Sequence, residues 1–212
     1  VESNDLIKQI FAYSSVTIEE SFTSTILMVM VALVTILPIA IINRFFFEEK
    51  NQYLSQIYGT KVKRGELYWT NILLAIILAL IGVLCTAGGL GGVALSVMAD
   101  SSMKMADFLA IGFNLYPSIL FFIGLAALVL GWTPKLGKAI YIYLAYASML
   151  NYFEGILDLP KLVLNTAPQS WLSQMPMEAF NIKTFFIVII VSVILMFVGY
   201  FGYNRRDMLE GA

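Results

Sequence analysis

From Phe22 to Asn43 the chain carries no charged side chain, and from Ile72 to Val97 it carries none again. An apolar run of about 18 or more residues is long enough to cross the roughly 30 Å hydrocarbon core of a bilayer. Such a run has little choice of backbone, because in lipid every N–H and C=O must find a partner, and a single segment satisfies itself only as a helix. Further apolar runs begin at Phe108, Ala139 and Thr184. The expected fold is an all-α membrane protein of five transmembrane helices, at about residues 22–43, 67–97, 108–131, 139–153 and 184–203. Composition agrees, with 59% of the 212 residues hydrophobic and 13% charged, against roughly 25% charged in soluble domains.

Several residues inside the spans carry expectations of their own. Pro38 and Tyr116-Pro117 should bend the first and third helices. Tyr68 and Trp69 stand where interfacial anchors of the second helix belong. That helix is long for one span, and Gly88-Gly89-Leu90-Gly91-Gly92 either loosens its outer end or packs closely through Gly88 and Gly92. The fourth span is short and bordered by Tyr141, Tyr143, Tyr146, Tyr152 and Phe153. The lone Cys85 reads as a small packing residue, so there is no disulfide framework. Histidine is absent, which removes the commonest metal ligand and general base. No metal or other cofactor is expected.

Between the spans lie the polar stretches. Residues 1–21 form an extracytoplasmic amphipathic segment, with Leu6, Ile7, Ile10, Phe11 and Tyr13 set to lie on a surface. Residues 22–212 form the transmembrane unit. Its longest polar run, Phe47 to Trp69, opens on Glu48 and Glu49 at the start of a short helix and then places Leu54, Ile57 and Tyr58 on one helical face. Gly59 ends that helix, and Lys61, Lys63 and Arg64 follow. This stretch is either a docking helix or a solvated loop. Glu154 to Asn181 is apolar but broken by Pro160, Pro168 and Pro176; it either dips into the membrane and returns, or folds over the helix ends.

Orientation follows from the 13 cations. With the Phe47–Trp69 stretch in the cytoplasm, nine lie inside (Arg44, Lys50, Lys61, Lys63, Arg64, Lys135, Lys138, Arg205, Arg206) and four outside (Lys8, Lys104, Lys161, Lys183). The odd number of spans, and Val1 in place of an initiator methionine, lead to the expectation that a helix precedes this segment. The cations gather into no groove-sized patch, so no nucleic-acid partner is expected.

No span carries Asp, Glu, Lys or Arg near its middle. Ion-coupled carriers need such groups to bind and release the ion, and an intramembrane hydrolase needs a nucleophile with its base. The run Gly131 to Lys138 superficially has the spacing of a phosphate loop, but it is one residue too long and Ala139 replaces the Ser/Thr. Energy for any transport must then come from a partner.

The run EEKNQYLSQIYGTKVKRGELYW resembles the segment after the second helix of type-2 ABC export permeases, and more narrowly that of the polyketide-antibiotic/multidrug exporters. Glu49, Leu54, Ile57 and Arg64 match that family's pattern; Asn51 and Gln52 replace its usual small-basic pair, and Lys61 stands where proline is common. LDLPKLVLNTAPQSWLSQMPMEAFN resembles the same family's outer loop through Asp158, Leu159, Pro160, Pro168, Pro176, Glu178, Phe180 and Asn181, without the histidine common at its middle. The ending Gly202-Tyr203-Asn204-Arg205-Arg206-Asp207 fits as well.

The resemblance implies a carboxy-terminal permease half in the bacterial plasma membrane. Its partners would be an ATP-binding cassette ATPase, which carries the hydrolysis, and a second permease half. Residues 47–66 would be the cytoplasmic coupling helix, with Glu48, Glu49, Leu54, Ile57, Tyr58 and Arg64 as coupling residues. Asp158, Pro160, Pro168, Pro176 and Glu178 would mark a re-entrant outer segment. The substrate would be a hydrophobic or amphipathic, drug-like compound moved outward. The competing reading is a non-transporting membrane immunity or sensor protein.

Overall fold

Helix starts are marked in the sequence by an acidic side chain that reaches back, or an amide that reaches forward, to an unpaired N–H. The Lys63 N–H donates to Glu66 Oε2 at 3.2 Å, the Lys104 N–H to Asp107 Oδ2 at 2.7 Å, and the Thr184 N–H to Asn181 Oδ1 at 3.3 Å. The computed structural model describes the backbone of residues 2–51, 53–54, 62–97, 103–154, 160–176 and 178–205, and side chains from Thr23 onward within those ranges except Lys50, Glu154 and Lys161. Among these residues the helices are α1 (Glu2–Lys50), α2 (Arg64–Val97), α3 (Met105–Trp132), α4 (Gly137–Glu154), the single turn α5 (Lys161–Leu164) and α6 (Ile182–Arg205), with no strand.

Four of these are long and apolar enough to cross a membrane: Thr23–Glu49 of α1, and α2, α3 and α6. The expected fourth span lies in α4, whose 18 residues fall short of that measure. Tyrosines, Asn151 and Lys138 dilute its apolar content, yet it packs along α1 and α3. The backbone before Thr23 continues α1 without a break, where the sequence suggested a separate short helix. Pro38 and Pro117 both lie inside continuous helices.

α3 is the centre of the bundle. Its apolar window is 67% buried, against 39% in α1, 28% in α2 and 33% in α6. It packs most extensively on α6, then on α2 and α1. α2 meets it through a stripe of small residues, Ala75, Ala79, Val83, Ala87 and Gly91, spaced so that all face one way. The α3–α6 seam is closer still. A Cβ on Gly124 would sit 2.6 Å from the Ser192 carbonyl oxygen, and one on Gly199 2.5 Å from the Ala127 carbonyl. Backbone therefore touches backbone, as in membrane helices joined through small residues.

Three expectations are corrected here. Gly88 faces open space and Gly91 makes the close contact, so the small-residue spacing of Gly88 and Gly92 does not join helices of this chain. Tyr68 points into the core and is 1% exposed, because its hydroxyl finds a buried acceptor and it need not reach the interface. Cys85 is exposed on the outer face of α2 instead of packing.

Candidate coupling site and outer segment

α1 runs past Asn43 to Lys50, so Glu48 and Glu49 lie in its last turn and do not start a new helix. Negative charge at a helix C-terminus opposes the macrodipole, and each carboxylate has acquired a cation. Arg44 Nε donates to Glu48 Oε1 at 2.7 Å, one turn apart on the surface, where solvent screens the pair. Glu49 is in a different setting. Its side chain is 6% exposed, and Oε1 accepts from Arg64 Nε at 2.9 Å, with the charged Arg64 Nη2 in ion-pair contact at 2.7 Å. Arg64 opens α2, so this ion pair fastens the last turn of α1 to the first turn of α2.

The same guanidinium lies 4.4 Å from the ring centroid of Tyr203, near the end of α6. Such a contact contributes about 2 kcal/mol when desolvated, and Tyr203 is fully buried. Its ring stacks on Tyr68 at 5.3 Å and meets Phe46 edge-on at 5.6 Å. Tyr68 in turn donates its hydroxyl to the Met196 carbonyl at 2.7 Å. One cation thus joins three helices at the cation-rich end of the bundle.

The remaining expected coupling residues divide. Leu54 is 8% exposed and belongs to the chain's own core. Asn51 and Tyr53 beside it are exposed, Tyr53 by 68%. Ile57 and Tyr58 lie outside the described residues.

At the opposite end, the segment after α4 turns back among the helices. Tyr143 donates to the Thr166 carbonyl at 2.7 Å, Asn114 Nδ2 to the Ser173 carbonyl at 2.7 Å, and the Trp171 ring meets Phe121 at 5.2 Å. Phe121 lies about 24 Å along α3 from Met105, at ~1.5 Å per residue. Asn151 Nδ2 donates to Gln169 Oε1 at 3.3 Å and Asn151 Oδ1 accepts from Ser170 Oγ at 2.8 Å, with Asn151 and Gln169 both buried. The irregular backbone is therefore met by uncharged polar side chains of α3 and α4. This is the condition for non-helical chain at membrane depth.

Of the residues expected to mark this segment, Pro168 is buried at the start of a turn of 3-10 helix, Pro168–Trp171. Pro160 is exposed ahead of α5, and Pro176 follows a cis peptide bond. Glu178 accepts the Gln174 N–H at 3.1 Å, closing a turn. Asp158 lies outside the described residues. Asn151 and Gln169 were not singled out from the sequence; the available signal was an uncharged amide next to an apolar span.

Residues 1–204 match the family described as "Multidrug efflux system permease Rv1217c, C-terminal domain". No curated protein matches the chain. Matched over nearly its whole length, and carrying four helices apolar enough to cross a bilayer, the chain belongs to this family of multidrug efflux permeases.

Proposed function

We propose that the chain is the membrane-spanning permease subunit of an ATP-binding cassette exporter in the bacterial plasma membrane. It moves a hydrophobic or amphipathic, drug-like compound outward, together with a second permease half. ATP hydrolysis resides on a separate ATPase subunit, which docks on the cytoplasmic stretch around residues 47–66. In this reading α4 is a fifth, short span, and residues 160–176 form the re-entrant outer segment. The observation that carries the proposal is the family match over residues 1–204. It is supported by the charge distribution: among the described residues no Asp, Glu, Lys or Arg lies near the middle of the four apolar spans, Thr23–Glu49 of α1, α2, α3 and α6. A proton- or ion-driven cycle has no mid-membrane group to use. A non-transporting immunity or sensor role has no observation in its favour.

The test is capture of the ATPase by the chain, measured beside its membrane-fraction level. Tyr53→Asp, at an exposed site, should leave the level unchanged and reduce capture at least tenfold. Leu54→Asp should instead lower the level, because it puts a carboxylate into the core. If no ATPase co-purifies with the wild-type chain under any nucleotide condition, the exporter reading fails.

A further inference from the structure

A groove of about 460 Å³ opens between the last turns of α1, the end of α3 and the start of α4. Arg44, Lys135 and Lys138 line it, and no carboxylate does. Among the described residues, Glu48 is held by the lining residue Arg44 through its Nε. A guanidinium has five N–H donors, so the terminal nitrogens of Arg44 remain able to meet a second acceptor. With Glu48 counted, the local balance still favours an anion. Beneath the cations the accessible surface is aromatic, formed by Phe47 and Tyr141 over the buried Leu130. Phe47 is 61% exposed on the outward face of α1.

We infer that this groove holds the phosphate group of an anionic lipid, with the acyl chain lying against Phe47 and Tyr141. Basic pockets between membrane helices at the headgroup level suit such lipids. The chemistry recognised is a phosphate ester. A lipid is the source favoured over a soluble phosphate compound, because the groove offers an aliphatic chain an apolar wall. A small soluble anion would gain nothing from that wall. The proposal stands independently of the exporter reading, since it needs only that this end of the bundle lie at a membrane surface.

The experiment uses the full-length protein, delipidated in detergent and read by native mass spectrometry. The probes are phosphatidylglycerol, phosphatidylcholine, inorganic phosphate and glycerol phosphate. Phosphatidylglycerol should be retained in preference to phosphatidylcholine. The exposed-site double variant K135Q/K138Q should lose affinity roughly thirtyfold, the effect of two lysines near an anionic surface. K135R/K138R should keep binding, and K183Q, at the other end of the bundle, should change nothing. Equal retention of the two lipids, or unchanged binding by K135Q/K138Q, overturns the site. Displacement of the lipid by glycerol phosphate or inorganic phosphate at equal concentration overturns the lipid assignment and gives the groove to a soluble phosphate compound.

Discussion

The buried pair Glu49–Arg64 invites a double-mutant cycle. Glu49→Gln leaves the Arg64 guanidinium, whose side chain is 21% exposed, facing a neutral amide at the distance now occupied by a carboxylate oxygen. Removing one partner of a buried pair costs about 3–5 kcal/mol, and the residual exposure of Arg64 favours the low end. A loss of about 3 kcal/mol in a chain of this size corresponds to a fall of roughly 6–12 °C in the thermal midpoint. Arg64→Gln should cost a similar amount, because Glu49 is then left charged and buried and Tyr203 loses its cation. The double variant Glu49→Gln/Arg64→Gln removes both charges, so its loss should be less than the sum of the singles by at least ~2 kcal/mol. Arg64→Lys should fall between wild type and Arg64→Gln. It keeps the charge but loses the Nε donation to Oε1 and the planar contact with Tyr203. The assay is unfolding of the detergent-solubilised chain followed by tryptophan emission, with Trp69 reporting from 5.4 Å away from Tyr68. Singles that add to the double within about 0.5 kcal/mol would refute the claim that the pair acts as a unit.

The other predictions concern packing, the outer segment and topology. Gly199→Ala places a methyl group against the Ala127 backbone, which cannot yield as a side chain can, and should cost about 1–3 kcal/mol of thermal stability; Gly88→Ala meets nothing and should be neutral or stabilising. Asn151→Leu removes the partner of both Gln169 and Ser170 and should cost about 1–3 kcal/mol, with Asn151→Leu/Gln169→Leu recovering part of the loss in the same melt. A cysteine at Leu162, which is 83% exposed, should react with an impermeant maleimide only from outside the cell, and one at Lys135 only from the cytoplasm; the same-side result at both positions would invert the assignment of ends.

The long apolar runs were legible because lipid leaves the backbone one solution, and α2, α3 and α6 each begin and end within a few residues of the expected limits. Partner choice was not legible. The spacing of Leu54 shows which residues share its face but not whether that face turns to another protein or to its own bundle, and the fold turns Leu54 inward. Glu49 and Arg64 were both recognised as important, yet a pair separated by 15 residues across a connection leaves no local periodicity to betray it. Tyr68 had the composition and place of an interfacial anchor, and a tyrosine with a buried acceptor has the same local sequence. The glycine run at Gly88 is conspicuous, whereas the isolated Gly124, Gly131 and Gly199 bring the α3 and α6 backbones together. A single glycine becomes informative only when the facing helix is known.

The position of the ion pair bears on how a docking event would be felt elsewhere. An open connection between two helices absorbs a push, because its backbone can rearrange without moving either end. Here both ends of the connection are fastened together by Glu49 and Arg64, and Arg64 is seated on Tyr203 of α6. A displacement of the connection must therefore be shared by α1, α2 and α6 or must first break a buried charge pair. α6 runs unbroken from that seat to Ile182, and at Gly124, Gly131 and Gly199 its seam with α3 has backbone against backbone. At the far end the α6 residue Phe185 touches Phe180 at 5.3 Å, and Asn114 of α3 holds Ser173. In the proposed exporter the base and the outer segment are thus the two ends of one stiff α3–α6 unit.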